Sequence, residues 1–176
     1  MANSTDERMV TGIFNDRDSA ENAYNSVAAR GYGKDDINLV MSDETRKTHF
    51  GAAGNTKTEL GTKAAEGAGV GGAIGGTLGA IAAAVAAVGT SIAIPGLGLV
   101  IAGPLAAAIA GAGAGGAAGG LVGALIGWGI PEERVKRYES GIKSGGILMG
   151  VKARSSDDAK YFQDEWKRSN GTEIYA

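Results

Sequence analysis

The chain has no cysteine, a single histidine, and not one charged residue between Gly67 and Pro131. Lack of cysteine removes disulfides, thiolate metal sites and cysteine nucleophiles together, and it fits a reducing compartment. The lone histidine, His49, lies in a polar stretch with no acidic ligand cluster or nucleophile beside it. It reads as a surface residue of a linker. No HExxH pair, nucleophile elbow or P-loop is present, so no metal, cofactor, catalytic residue or small-molecule substrate is expected. Met1–Arg8 has no apolar run of the kind that starts a secretory signal, and none is expected. The net charge of -2 gives no bulk attraction to nucleic acid or to an anionic membrane. Lys and Arg are interspersed with acids, which argues against RNA as a partner.

What the chain has in excess is glycine. The 31 glycines in 176 residues amount to about 18%, against a usual ~7%. No strict Gly-X-Y period exists, so collagen is excluded. All 36 Asp, Glu, Lys and Arg residues lie in the 111 positions outside the uncharged block. Two chemical regimes therefore meet at abrupt boundaries.

The polar flanks carry ordinary element signals. Met9–Phe14 reads as a strand, with a turn at Asn15–Asp18. Asp18 with Glu21 looks like a capping box. Ala20, Ala23, Tyr24, Val27 and Ala28 recur at helical spacing, and Gly31 stops that helix. Ile37–Met41 is a second strand, parallel to the first through a right-handed connection. Ser42–Leu60 is polar and reads as a linker. After the uncharged block, Pro131 at N1 followed by Glu132 and Glu133 opens a helix with Val135, Tyr138 and Ile142 on its apolar face. Gly141, Gly145 and Gly146 end it. Ile147–Ala153 is a strand. Ser155 with Asp158 caps a helix that places Ala159, Phe162 and Trp166 on one face. Thr172–Tyr175 is the last strand. Tyr138, Tyr161, Phe162 and Trp166 fall mostly on helices, so they are expected in the core rather than on a base-stacking sheet.

With residues about 45–140 removed, the remainder is β-α-β followed by β-α-β. That order predicts an α+β fold: a ferredoxin-like split β-α-β domain, with the glycine-rich segment inserted between its second and third strands. The expected divisions are 8–44 for the first half, 45–61 for a polar linker, 62–130 for the insertion, and 131–176 for a helix plus the second half.

Gly67, Gly71, Gly75 and Gly79 lie four apart, as do Gly111, Gly115, Gly119, Gly123 and Gly127. Residues at that spacing share a helix face. A glycine stripe lets two backbones approach closely. The two runs predict a glycine-zipper helical hairpin, with arms over Thr62–Val88 and Leu99–Ile130, turning at Pro95, Gly96 and Gly98. Glycine costs about 1 kcal/mol of helix propensity per exposed interior position, so nine of them require close packing in return. Gly67–Gly72 partly imitates a dinucleotide loop. No strand precedes it and the glycines run far beyond a phosphate turn, so nucleotide binding is not expected.

Lipid and protein can each supply the packing. A 27-residue arm is about 40 Å long as a helix, enough for a ~30 Å hydrocarbon core. Lys57, Lys63, Arg134, Lys136 and Arg137 sit near the ends of the hairpin, as a cytoplasmic head would have them. The preferred expectation is a membrane anchor and homo-oligomerisation element on the cytoplasmic face of an inner membrane, with lipid as a further partner. The alternative is a soluble cytoplasmic assembly or binding module with the hairpin buried between copies.

The start Val10–Met41, the glycine-rich middle and the run from Gly129-Ile130-Pro131-Glu132-Glu133 through Tyr138-Glu139-Ser140-Gly141 to Gly145-Gly146-Ile147-Leu148 resemble bacterial general stress or low-temperature-induced proteins with a glycine-zipper insert. The resemblance covers roughly residues 8–153. It implies a non-enzymatic, stress-associated bacterial protein, and it carries over no catalytic residue.

Overall fold

The computed structural model describes residues 8–33, 35–50, 92–94, 98–111, 122–123, 125–126 and 129–176. Their elements are β1 (Arg8–Phe14), α1 (Arg17–Ala29), β2 (Ile37–Ser42), α2 (Asp43–Phe50), β3 (Ile92–Ile94), β4 (Leu99–Ala102), α3 (Pro104–Gly111), α4 (Glu132–Lys143), β5 (Ile147–Ala153), α5 (Ser156–Arg168) and β6 (Thr172–Tyr175). The strands form one sheet in the order β3-β4-β2-β5-β1-β6. Every neighbouring pair is antiparallel. Because β1 and β2 both run antiparallel to β5, they are parallel to each other, with β5 between them.

Alternation along the strands sorts side chains to two faces. Val10, Phe14, Leu39, Met41, Ile147, Met149 and Val151 meet Ala20, Ala23 and Val27 of α1 and Ala159, Phe162 and Trp166 of α5. Ile13, Val40, Leu99, Ile101 and Leu148 meet Leu105 and Ala106 of α3, Leu125, Ile130, and Val135, Tyr138 and Ile142 of α4. Helices therefore cover both faces. The expected apolar faces of α1, α4 and α5 are the buried ones, except that Ala28 is exposed.

Helix ends follow local chemistry. Asp16, not Asp18, caps α1: its Oδ1 accepts the Ser19 N–H at 2.8 Å. Gly31 follows α1 with a φ of +79°, the expected stop. Ser155 caps α5 by accepting the Asp158 N–H, as expected. Pro131 is the N-cap of α4, one position earlier than expected. Gly141 lies inside α4 rather than at its end, against Ile13, where a side chain would collide. The stretch expected as a polar linker contains α2, whose first turn is closed by Ser42 Oγ accepting the Thr45 N–H.

The largest correction falls on the insertion. Leu99–Ala102, expected as the start of the second helical arm, is strand β4, paired with β2 and β3. Four apolar residues between Gly98 and Gly103 suit a buried strand as well as a helix, and the free edge of β2 decides for the strand. Helix begins only at Pro104, in the first-turn position that proline tolerates. Gly98 does turn the chain, with a φ of +61°, but it turns a β-hairpin. The first arm, Thr62–Val88, lies outside the described residues, as do Pro95 and Gly96.

Membrane anchoring is also corrected. Among the described residues no helix is long and apolar enough to cross a membrane. The anchoring hairpin and the membrane-face location therefore lose their basis.

One contact stitches the insertion to the sheet. Asn38, on β2, is nearly fully buried, and its Oδ1 accepts the Leu105 N–H at 2.8 Å, supplying α3 with its cap from another strand. Gly103 makes the approach possible. Its φ is +99°, and a Cβ there would overlap the Ile37 carbonyl. Gly103→Ala is expected to cost roughly 2 kcal/mol or more, from strained backbone plus the clash, read as a lower midpoint in urea with an unchanged slope. A second expectation concerns acid. The Ser19 backbone N–H, then the Ser19 hydroxyl, hold the Asp16 carboxyl below its ordinary range. That stabilisation is present above the unfolded value of ~3.9 and is lost as pH falls through the lower folded one. Asp16→Asn keeps a cap. It should flatten the acid side of a melting-temperature profile while leaving the neutral value nearly unchanged.

Candidate functional site

Two polar clusters and one apolar face stand out. The first cluster forms where α1 ends, β5 ends and α5 begins. Tyr32 follows the left-handed turn at Gly31 and is 4% exposed. Its hydroxyl donates to Asp158 Oδ2 at 2.7 Å and accepts the Arg154 N–H at 2.7 Å. The Tyr32 ring meets Phe162 edge-on, with centroids 5.0 Å apart. The Arg154 guanidinium lies 4.1 Å from the centre of the Tyr32 ring and pairs with Asp36 Oδ2 at 2.8 Å. Arg30 stacks 4.0 Å over Tyr161 and pairs with Asp158 Oδ1 at 3.1 Å. Burial raises the Tyr32 pKa, the Arg154 N–H opposes that rise, and the Asp158 carboxylate adds to it.

Each arginine thus has an acid and a ring, and the tyrosine hydroxyl is engaged as both donor and acceptor. Such an arrangement ties three elements together. It does not present a free proton donor or nucleophile.

The second cluster runs from a buried Tyr138–Thr11 contact under α4 out to the surface. The Tyr138 hydroxyl lies 2.7 Å from Thr11 Oγ1 and donates to the Glu173 carbonyl at 3.0 Å. Glu173 has a φ of +50°, at a register shift between β1 and β6. Arg137 pairs with its carboxylate at 3.3 Å, and Arg134 lies 4.2 Å over the Tyr175 ring. Burial raises the Tyr138 pKa above the ordinary phenol value.

His49 sits in the last turn of α2, half-buried, and its carbonyl accepts from Arg17 Nη1 at 3.0 Å. It is part of a helix rather than a free linker residue. Tyr138, Phe162 and Trp166 are fully buried, as core residues. Among the described residues no group of three or more His, Cys, Asp or Glu side chains is placed to hold a metal.

Of the stripe glycines, Gly67, Gly71, Gly75, Gly79, Gly115, Gly119 and Gly127 lie outside the described residues. Gly111 is the last residue of α3. Gly123 is helical, as are Val122, Leu125 and Ile126, and a Cβ there would meet no described atom within 4 Å. Leu125 is fully buried against the sheet, whereas Val122 and Ile126 are 37% and 45% exposed. They are the large apolar side chains left exposed among the described residues.

Sequence reasoning missed Tyr32, Asp36 and Arg154 as a unit. Arg154 lies 118 positions from Asp36 along the chain, and no periodicity links it to Tyr32 and Asp36. The one local signal is Gly31-Tyr32-Gly33, an aromatic held between two glycines just after a helix.

No family model, no curated protein and no solved structure matches the chain.

If the first cluster is a structural tie, Tyr32→Phe removes two hydrogen bonds while keeping both ring contacts. The expected loss is about 1–3 kcal/mol of unfolding free energy, measured by chemical denaturation. A double-mutant cycle with Asp158→Asn should show coupling between the two positions.

Proposed function

We propose that this chain is a non-enzymatic, self-assembling module whose glycine-rich block is buried between copies of itself. One observation carries the reading. Leu125 is turned inward, whereas Val122, Gly123 and Ile126 are exposed. Val122 and Ile126 are four apart, so they share a helix face, and Gly123 lies beside them. Gly123 belongs to the five-glycine run. Gly123 therefore leaves room for a second helix of the same kind to approach closely. Apolar side chains left outside a sheet already covered on both faces need a partner surface.

The head domain is read as ferredoxin-like. The order β2-β5-β1-β6, with α1 and α5 on one face, supports that reading. β4 and β3 then extend the sheet beyond its usual edge, and α3 and α4 fill the face opposite α1 and α5. A non-catalytic role is supported by polar clusters whose groups are turned to one another. Membership of the bacterial general-stress proteins with a glycine-zipper insert rests on the Gly129–Leu148 run. Work in the cytoplasm is consistent with a chain free of cysteine.

Sedimentation without detergent tests the proposal. The full chain at micromolar concentration is expected as a discrete oligomer. Ile126→Lys puts a charge on the outward face and should shift it toward monomer with an unchanged melting temperature for the head domain. A wild-type monomer at every concentration sampled would overturn the reading.

A further inference from the structure

The turn that ends α5 has a reactive dipeptide at its centre. Asn170-Gly171 is the one Asn-Gly pair in the sequence, and no Asp-Gly pair occurs. Asn170 is exposed and takes a φ of +58°, the left-handed position that ends many helices and that asparagine tolerates. The Asn170 N–H donates to the Lys167 carbonyl at 3.2 Å, and the Gly171 N–H donates to the Trp166 carbonyl at 2.8 Å. Together they form the paired hydrogen bonds of a Schellman end. Gly171 is also tightly enclosed. A Cβ there would stand 2.7 Å from the Trp166 carbonyl oxygen, 2.8 Å from Phe14 Cε1 and 3.2 Å from Ile174 Cδ1.

An asparagine followed by glycine is open to attack by the next backbone nitrogen, because no side chain shields that nitrogen. The Gly171 nitrogen bonds to Asn170 Cγ, the bond from Cγ to the side-chain amide nitrogen breaks, and the Gly171 proton leaves with that nitrogen as ammonia. The product is a five-membered succinimide. Water then adds to one of its two carbonyls and opens the ring, to aspartate or to isoaspartate. The attack requires the Gly171 nitrogen to release its proton and turn toward Cγ. In the folded chain Trp166 holds that N–H.

We infer that Asn170-Gly171 is a self-modifying site that the Schellman end of α5 keeps shut, so that each copy records the time its C-terminal end has spent open. A reaction that proceeds from an opened state follows the population of that state. Isoaspartate carries an extra methylene in the backbone, next to a Gly171 that Trp166, Phe14 and Ile174 already enclose. The lengthened chain loses the Schellman bonds and the register that sets Thr172 opposite Ile13. Aspartate fits the left-handed turn and adds only a negative charge near the carbonyl end of the helix.

The test holds the full chain in mildly alkaline buffer at physiological temperature, folded and, separately, in guanidinium chloride above its unfolding midpoint. Peptide mapping by mass spectrometry follows Asn170, with aspartyl and isoaspartyl peptides separated by chromatography. Loss of Asn170 at least tenfold slower in the folded chain is the expected result. The refolded isoaspartyl chain should melt below the Asn170→Asp variant, which carries the same charge without the extra methylene. Asn170→Gly keeps the left-handed turn, removes the reaction, and should come through the same treatment with its melting temperature unchanged. Equal rates in the two states overturn the closed site, and no reaction in denaturant overturns the site itself. An isoaspartyl chain as stable as Asn170→Asp, or a matching loss of stability in treated Asn170→Gly, overturns the damage assigned to this turn.

Discussion

β5 is laid between two strands that the chain has already passed, and the rest of the structure depends on that insertion. A central strand with neighbours on both sides and helices on both faces must be apolar wherever both faces are covered. Ile147, Leu148, Met149 and Val151 meet that demand, and Gly150, between Met149 and Val151, adds no bulk to the second face. Ile147, Met149 and Val151 anchor α1 and α5, while Leu148 anchors α4 and the residues from the uncharged block. Pairing β5 with β1 and β2 closes a long loop. The entropy of closing a loop rises only slowly with its length, so a long insertion there is tolerated.

The uncharged block is therefore more than an appendage. Its described residues contribute β3 and β4 to the sheet and Leu105, Ala106, Leu125 and Ile130 to the second core. A helical hairpin standing apart from the head would leave β2 as a bare edge and leave the face over Leu148 and Ile13 only half covered by α4. Strand pairing satisfies the backbone groups of β2, and Asn38 supplies the helix cap that the proline start of α3 lacks. Buried backbone groups without partners are costly, and this arrangement gives them partners.

The polar clusters share one logic. Each lies where an element ends and binds it to elements distant in sequence: Tyr32 to Arg154 and Asp158, Tyr138 to Thr11 and Glu173. Apolar packing decides which surfaces meet but is tolerant of small slides. Hydrogen bonds with fixed geometry remove that tolerance.

Local chemistry was enough to identify α1, α4 and α5, their buried faces, the Ser155 cap, the Gly31 stop and the strands β1, β2, β5 and β6. Each of these follows from spacing, capping or turn residues within about a dozen positions. The abrupt loss of charge at Gly67 and its return at Glu132 was equally plain. Tertiary structure alone decided that Leu99–Ala102 is a strand, because a short apolar run fits helix or strand until a free edge is beside it. It alone turned Leu125 inward and Ile126 outward, and it alone brought Tyr32 to Asp158. Contacts between residues more than a hundred positions apart leave no periodic trace in a sequence, since it is the folded sheet, not the chain, that makes them neighbours.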